Sequence, residues 1–485
     1  MNNANELLSA DKQYVWHPFT PMQPWIDTPD LSDSLIVAGE GFELIDAQGR
    51  RYIDGFGSLW CNLHGHRVMQ IDAAIRQQLD RIAHSTLLGF ASPPSIRLAS
   101  TLITTLPECM SGLRKVFFSD SGATATEIAC KMAFQYWQNR GQTARRKFIA
   151  FREGYHGDTV GAVSLGGIDL FHRVFRPLLF DTTFVDCPNE HYGQSDPLTQ
   201  IRQAFETSPG EFCAVFVEPM IQGAGGMLTQ PPGFMRALRQ LTREHDVLLI
   251  ADEVATGFCR TGTLYACEHE QIGPDLLCLG KGLTGGYLPV SATLATQEIF
   301  DAFCGPAGEA RTFYHGHTFT GNALGCAAAV ASLELIFSSG LLSSLPEKVA
   351  LMRQHLSQLA DHPHVGDLRQ CGLMAGIELV KSRGRRDAGV SPAQMPHNGQ
   401  NIPSWPVQRG RDARITPPGP PWENYDWTRR VGETLCRTAR PLGLIIRPLD
   451  DIVVLMPPPA IDLNTLERMM RIVVGCVRDF AFGAE

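Results

Sequence analysis

The chain has 485 residues, 44% of them hydrophobic and 19% charged, with a formal net charge of -8. This is the balance of a globular protein of more than one packed unit, and it excludes a disordered chain. Charges of both signs are spread along the chain, no apolar run is long enough to cross a bilayer, and the start MNNANELLSADKQ is polar, so a cytoplasmic protein with no nucleic-acid or membrane partner is expected.

In chain order, FELIDAQGRRYIDG (42–55) reads as two short alternating runs around an Ala-Gln-Gly turn, a hairpin. KVFF (115–118) predicts a strand, and ATEIACKMAFQYW (125–137) the helix after it. Then come KFIAF (147–151), AVFVE (214–218), a helical stretch near 233–245, VLLIAD (247–252), DLLCLG (275–280) and VSATLA (290–295). Short apolar runs alternating with helical periods predict an α/β fold with a mostly parallel sheet covered on both faces. After about 335 the pattern gives helix, a strand pair over 364–380, then LIIRP and DIVVLMPP, a smaller α+β unit. Residues 382–426 are rich in Pro, Gly and Arg, with PPGPP at 417–421, and read as a surface insertion whose Trp405 and Trp422 are free to dock locally.

Ligands of open parallel sheets gather at the carboxyl ends of strands. Asp252, Lys281, Glu218 and the group Ser119, Asp120, Ser121 and Gly122 fall at such ends. Ser121 and Gly122, opening a helix, suit a phosphate or an ordinary helix cap. Asp252 with Lys281 suits a structural ion pair, or a lysine whose lowered pKa makes it a nucleophile. Gly280 and Gly282 read as clearing room beside that amine for something large. Tyr155, just past KFIAF, suits stacking on a flat ligand or plain packing. Arg447, in the apolar run LIIRPL, needs an anion, structural or substrate. The sequence HGH occurs at 64–66 and 315–317 and raises a metal-dependent hydrolase as one alternative. The 13 cysteines are scattered without a CxxC pair, which speaks against a disulfide framework or structural zinc.

The stretches FFSDSGATATEIACKMA, GYHGD, VEPMIQGAGGM, LLIADEVATGFCRTG, PDLLCLGKGLTGGYLP and HGHTFTGN follow one another over most of the chain. Together they resemble the class III (omega) aminotransferases, pyridoxal-phosphate enzymes of fold type I. WHPFTPM, HSTLLG and IIRPLDDIVVLMPP are similar to the biotin-pathway branch of that family, which aminates 8-amino-7-oxononanoate. The resemblance implies a large cofactor-binding domain at 71–335 and a small domain drawn from 1–70 and 336–485. It implies pyridoxal 5'-phosphate as cofactor, a homodimer, small-molecule substrates and no metal. Lys281 would bond the cofactor aldehyde and Asp252 would pair with its ring nitrogen. Ser121 and Gly122 would bind its phosphate, with His317 beside it and Thr318 reaching it from the partner subunit. Tyr155 would cover the ring, Leu59 and Gly316 would line the substrate pocket, and Arg447 would hold the substrate carboxylate. Glu218 and Gln222 would lie near the cofactor.

Three positions depart from the family pattern. Phe19 stands where members using S-adenosylmethionine have tyrosine, Leu59 replaces the first of two tryptophans, and Cys259 replaces a glycine. These changes leave the amino donor open between S-adenosylmethionine and lysine. Another omega-aminotransferase, for ornithine, 4-aminobutyrate or a diamine, is the second alternative.

Overall fold

The computed structural model describes residues 4–193, 195–383 and 422–482. A seven-stranded sheet forms the centre, in the order Leu113–Ser119, Ser291–Thr296, Leu276–Leu279, Leu248–Asp252, Phe212–Val217, Lys147–Phe151, Thr183–Val185. Ser291–Thr296 runs against both its neighbours, while the other pairings are parallel. Every residue of Phe212–Val217 and of Leu248–Asp252 is buried, which is why these strands read as unbroken apolar runs.

Helix Gly122–Asn139 packs on this sheet through Ala125, Ala129, Cys130, Ala133 and Trp137. Helix Ala323–Ser338 is apolar around most of its circumference, since it is enclosed by Met69–Leu79, Pro93–Thr104 and the turn at Lys281–Thr284.

The expected hairpin is Glu43–Asp46 paired with Arg51–Asp54. Its turn is set by Asp46, whose Oδ1 accepts the N–H of Gln48 and of Arg50, and by Gly49 at φ +79°. A further strand, Ile36–Glu40, extends the hairpin on one side. On the other side Leu444–Ile445 pairs in parallel with Ile53–Asp54, so the two ends of the chain share a sheet. A third sheet, antiparallel, joins Val365–Cys371, Met374–Leu379, Ile452–Leu455 and Arg447–Leu449.

Most of the segment read as an insertion, including Trp405, lies outside the described residues. Its flanks meet: Ser382–Arg383 pairs with Trp422–Glu423, and Trp422 packs against Gly366 and the ring of His191. All 13 cysteines are free. Among the described residues no single helix is long and apolar enough to cross a membrane.

Candidate functional site

Because six of the seven strands point one way, their carboxyl ends share one edge. Asp252 ends its strand there, Glu218 directly follows its own, and Ser121, Lys281 and Tyr155 come within about a turn after theirs. Asp252 is buried and held from two sides: Val254 N–H donates to its Oδ1 at 3.0 Å, and His156 Nδ1 lies 2.7 Å from its Oδ2. Burial opposes charge on His156, but the hydrogen bond and charge of Asp252 outweigh it and raise the imidazole pKa. The partner of Asp252 is therefore His156, rather than Lys281 as the pairing in the sequence suggested.

Lys281 follows Gly280 with φ +40°, and its Nζ sits 5.0 Å from the centroid of the Trp60 ring. Among the described residues this amine has no hydrogen bond and no ion pair. Burial lowers its pKa, against the opposing pull of Asp252 and Glu218. The glycines beside it do not clear a cavity. A Cβ on Gly282 would come within 2.9 Å of Leu63, and one on Gly280 within 3.3 Å of Val254. They admit protein atoms, and so bring the strand end and its turn close to the core.

Ser121 caps helix Gly122–Asn139. Its Oγ accepts Thr124 N–H at 3.3 Å, and Thr124 Oγ1 accepts Ser121 N–H at 3.0 Å. Gly122 is required by packing, since a Cβ there would lie 2.6 Å from Val254. Tyr155 donates its hydroxyl to Asp158 at 2.7 Å, and burial, aided by that bond, raises its pKa. Glu218 accepts the N–H of Tyr155 and of Gly223, each at 3.0 Å. Burial pushes Glu218 up to about 7, with His156 opposing and Asp252 adding to the rise. Gln222 is tied to Arg152 O and the Cys187 thiol, both structural contacts.

The remaining predicted residues lie on exposed or irregular chain. His317 is half-buried, 4.0 Å from Asp120 Oδ2 in the loop before Ser121. Gly316 and Thr318 are exposed, and Thr318 accepts from His84 at 2.8 Å through its carbonyl. Leu59 is exposed on a left-handed turn next to Trp60. Arg447 is exposed rather than embedded in apolar surroundings. Among the described residues it has no carboxylate partner, and its Nη2 donates to the Phe19 carbonyl at 3.3 Å. Gly316, Thr318 and Arg447 make no hydrogen bond to Asp252, Lys281 or Ser121.

The HGH pairs are dispersed. His64 bonds Ser332, and burial drives it down to about 4, while His66 faces Asp54 and His315 faces Lys131. Among the described residues no three His, Cys, Asp or Glu side chains are grouped to hold a metal.

An amine of lowered pKa with no hydrogen-bond partner, a fixed buried carboxylate and a helix N-terminus stand along one sheet edge. Such a set suits a cofactor carrying an aldehyde, a basic ring nitrogen and a phosphate. The pattern of the family Aminotransferase class-III spans residues 29–477. The adenosylmethionine-8-amino-7-oxononanoate aminotransferase of Geobacter sulfurreducens is 44% identical over 467 residues, 94% of each chain. The crystal structure of the enzyme of that name from Methanocaldococcus jannaschii is 38% identical, covers 99% of this chain and 100% of its own, and superposes with a TM-score of 0.87. An amine transaminase from an uncultivated Pseudomonas species, solved with PLP bound, is 28% identical over 96% of this chain and 98% of its own, with a TM-score of 0.81.

Proposed function

The chain belongs to the class-III aminotransferases, and we propose that it converts 8-amino-7-oxononanoate to 7,8-diaminononanoate, a step of biotin biosynthesis, with pyridoxal 5'-phosphate as cofactor. The observation that carries this reading is the Lys281 amine, without hydrogen bond or ion pair among the described residues and on the same sheet edge as Asp252, in a chain 44% identical over nearly its whole length to a relative of that name. The hydrolase alternative falls with the family and with the dispersal of the histidines.

When bound, pyridoxal phosphate supplies an aldehyde carbon that accepts the amino group and a ring that draws electrons from the substrate carbon. Lys281 would hold it covalently, and its lowered pKa leaves more of the amine neutral, able both to attack and to carry a proton. Positioned proton transfer of this kind is worth about 100- to 10,000-fold. Asp252 would keep a proton on the facing ring nitrogen through a charge-assisted hydrogen bond, and His156 and Val254 N–H keep its carboxylate aimed. The Ser121–Gly122 helix start would take the phosphate, with His317 beside it, and the Tyr155 side chain would cover the ring. Arg447, with no acidic partner among the described residues, would take the substrate carboxylate at the rim, and Leu59 and Gly316 would line the pocket.

The single chain leaves Trp16, Leu88, Phe90, Tyr314 and Phe319 strongly exposed. The ring of His84, four residues before Leu88, packs 4.9 Å from that of Phe319. Such a surface calls for a cover, and a second copy, contributing Thr318 to the neighbouring phosphate site, supplies one.

The decisive assay offers 8-amino-7-oxononanoate as acceptor, with S-adenosylmethionine in one arm and lysine in the other, and follows diaminononanoate. Formation with either donor is the expected result, and the productive arm identifies the donor. Efficient use of ornithine or 4-aminobutyrate, with none of this acceptor, would replace the reading by another omega-aminotransferase.

A further inference from the structure

Gly57, Ser58, Leu59 and Trp60 are four consecutive residues in the left-handed region, at φ +57°, +46°, +63° and +72°. Left-handed conformations are routine only for glycine, yet three of these carry side chains. A strained run persists only when its surroundings over-determine it. Here two buried charged groups do so. Asp54 Oδ1 accepts the Ser58 N–H at 2.8 Å and its Oδ2 accepts the Ser58 hydroxyl at 2.7 Å, with His66 Nε2 3.2 Å away. Arg260, fully buried, donates from Nη2 to the carbonyls of Trp60 and Asn62, and from Nη1 to those of Met456 and Pro457. The turn delivers the Trp60 ring to Lys281, 5.0 Å from the Nζ. Gly223 also packs against that ring, where a Cβ would come within 3.3 Å. The turn also leaves Leu59 exposed beside Trp60.

We propose that Asp54 is a positioning residue, which holds Ser58 in the left-handed region and so sets Trp60 against Lys281 and Leu59 at the pocket wall. It touches neither cofactor nor substrate and acts through the turn. The inference rests on the reading of Lys281 as the residue that anchors the cofactor.

The test compares Asp54→Asn, Ser58→Gly, Ser58→Ala and the double variant Asp54→Asn/Ser58→Gly, each purified as holoenzyme. Pyridoxal-phosphate affinity after removal and re-addition is read beside KM and kcat. An amide in place of the carboxylate accepts one of the two Ser58 bonds, can only donate to the Ser58 hydroxyl at the other, and loses the charge that strengthens both. Asp54→Asn is therefore expected to weaken cofactor affinity and raise the donor Michaelis constant about five- to tenfold, the ratio to which a mean hydrogen-bond loss converts. Glycine adopts the turn without strain, so Ser58→Gly in the Asp54→Asn background should restore most of both losses. Additive losses, or a lowered melting temperature with cofactor affinity unchanged, would mean that Asp54 only supports the fold.

Should Asp54→Asn not fold, the serine pair decides. Ser58→Ala keeps the strain and loses the hydroxyl, so it should bind cofactor more weakly than Ser58→Gly, and the reverse order overturns the proposal. A wild type that aminates no 8-amino-7-oxononanoate would remove the substrate reading and leave this ranking intact. A wild type that binds no pyridoxal phosphate would remove both.

Discussion

The sheet edge and the residues proposed to form a substrate rim are built differently. At the edge, Asp252 is locked by His156 and Val254, Ser121 by a reciprocal cap with Thr124, and Glu218 by two backbone N–H groups; Asp252 ends and Glu218 directly follows a fully buried strand, and Ser121 opens a long helix. The residues proposed for the rim, Phe19, Leu59, Gly316 and Arg447, are exposed and come from segments far apart in the chain. Groups that must hold one geometry through a reaction are seated on rigid elements, whereas groups that choose a substrate sit where a change costs the core little. Substitutions at the edge should therefore act on kcat, and those at the rim on KM.

The sharpest separation comes from Lys281. Replacing it with alanine is expected to abolish turnover, a loss of at least the 100- to 10,000-fold that a positioned proton carrier supplies, roughly. The variant should keep its circular dichroism spectrum, because among the described residues the amine has no hydrogen bond or ion pair to lose. Full transaminase activity in that variant would end the assignment of the edge.

Asp252→Asn and His156→Phe come next. The first removes the charge that a ring-nitrogen proton needs. The second leaves that carboxylate buried with one of its two fixed partners gone, at a cost of about 1–3 kcal/mol or more for a charged group. Both should lower kcat by more than they raise KM. A His156→Phe enzyme with normal kcat would show that His156 fills space and orients nothing.

Arg447→Ala tests the rim. Hydrogen bonds to charged groups are worth about 1.5–3 kcal/mol, so the Michaelis constant for the keto acceptor should rise about tenfold or more while kcat moves little. No change in that constant would take Arg447 out of the pocket.

The same division governs what is legible in the residues alone. AVFVE and VLLIAD are legible because strands buried on both faces are continuous apolar runs, and their ends mark the edge where Asp252 stands. His156 escapes a reading of the sequence because its partner lies 96 residues away, although a buried acid at a strand end calls for one, and YHG lies just past another strand end. LIIRPL looks uniformly apolar and so seems to embed Arg447, whereas the chain passes from one sheet to another here, burying Ile446 between the two strands and leaving Arg447 exposed. The left-handed turn in GSLW carries no signal in its own residues after Gly57, because Asp54, four residues earlier, and Arg260, 200 residues after Trp60, impose it.

Cys259 offers the smallest effect and the finest test of how the edge is supported. It stands at φ +75°, fully buried, with its N–H bonded to Leu264 O and its carbonyl to Gly262 N–H, so the backbone cannot relax. Holding an L-residue there costs roughly 1–2 kcal/mol. Glycine would remove that strain, but it would also give up the buried thiol and add about 0.5–1 kcal/mol of unfolded-chain entropy. Cys259→Gly should thus lie within about 1 kcal/mol of wild type, the difference between those opposing magnitudes. Cys259→Ala keeps the strain and loses the sulfur, so it should be the less stable of the two. In ordinary helix or strand positions alanine is the more stable residue, and denaturant unfolding of the two variants reads the sign directly. An alanine variant that outlasts glycine would mean that the left-handed backbone at 259 carries no strain worth relieving. Equal kcat in both would place Cys259 in the support of the edge and outside its chemistry.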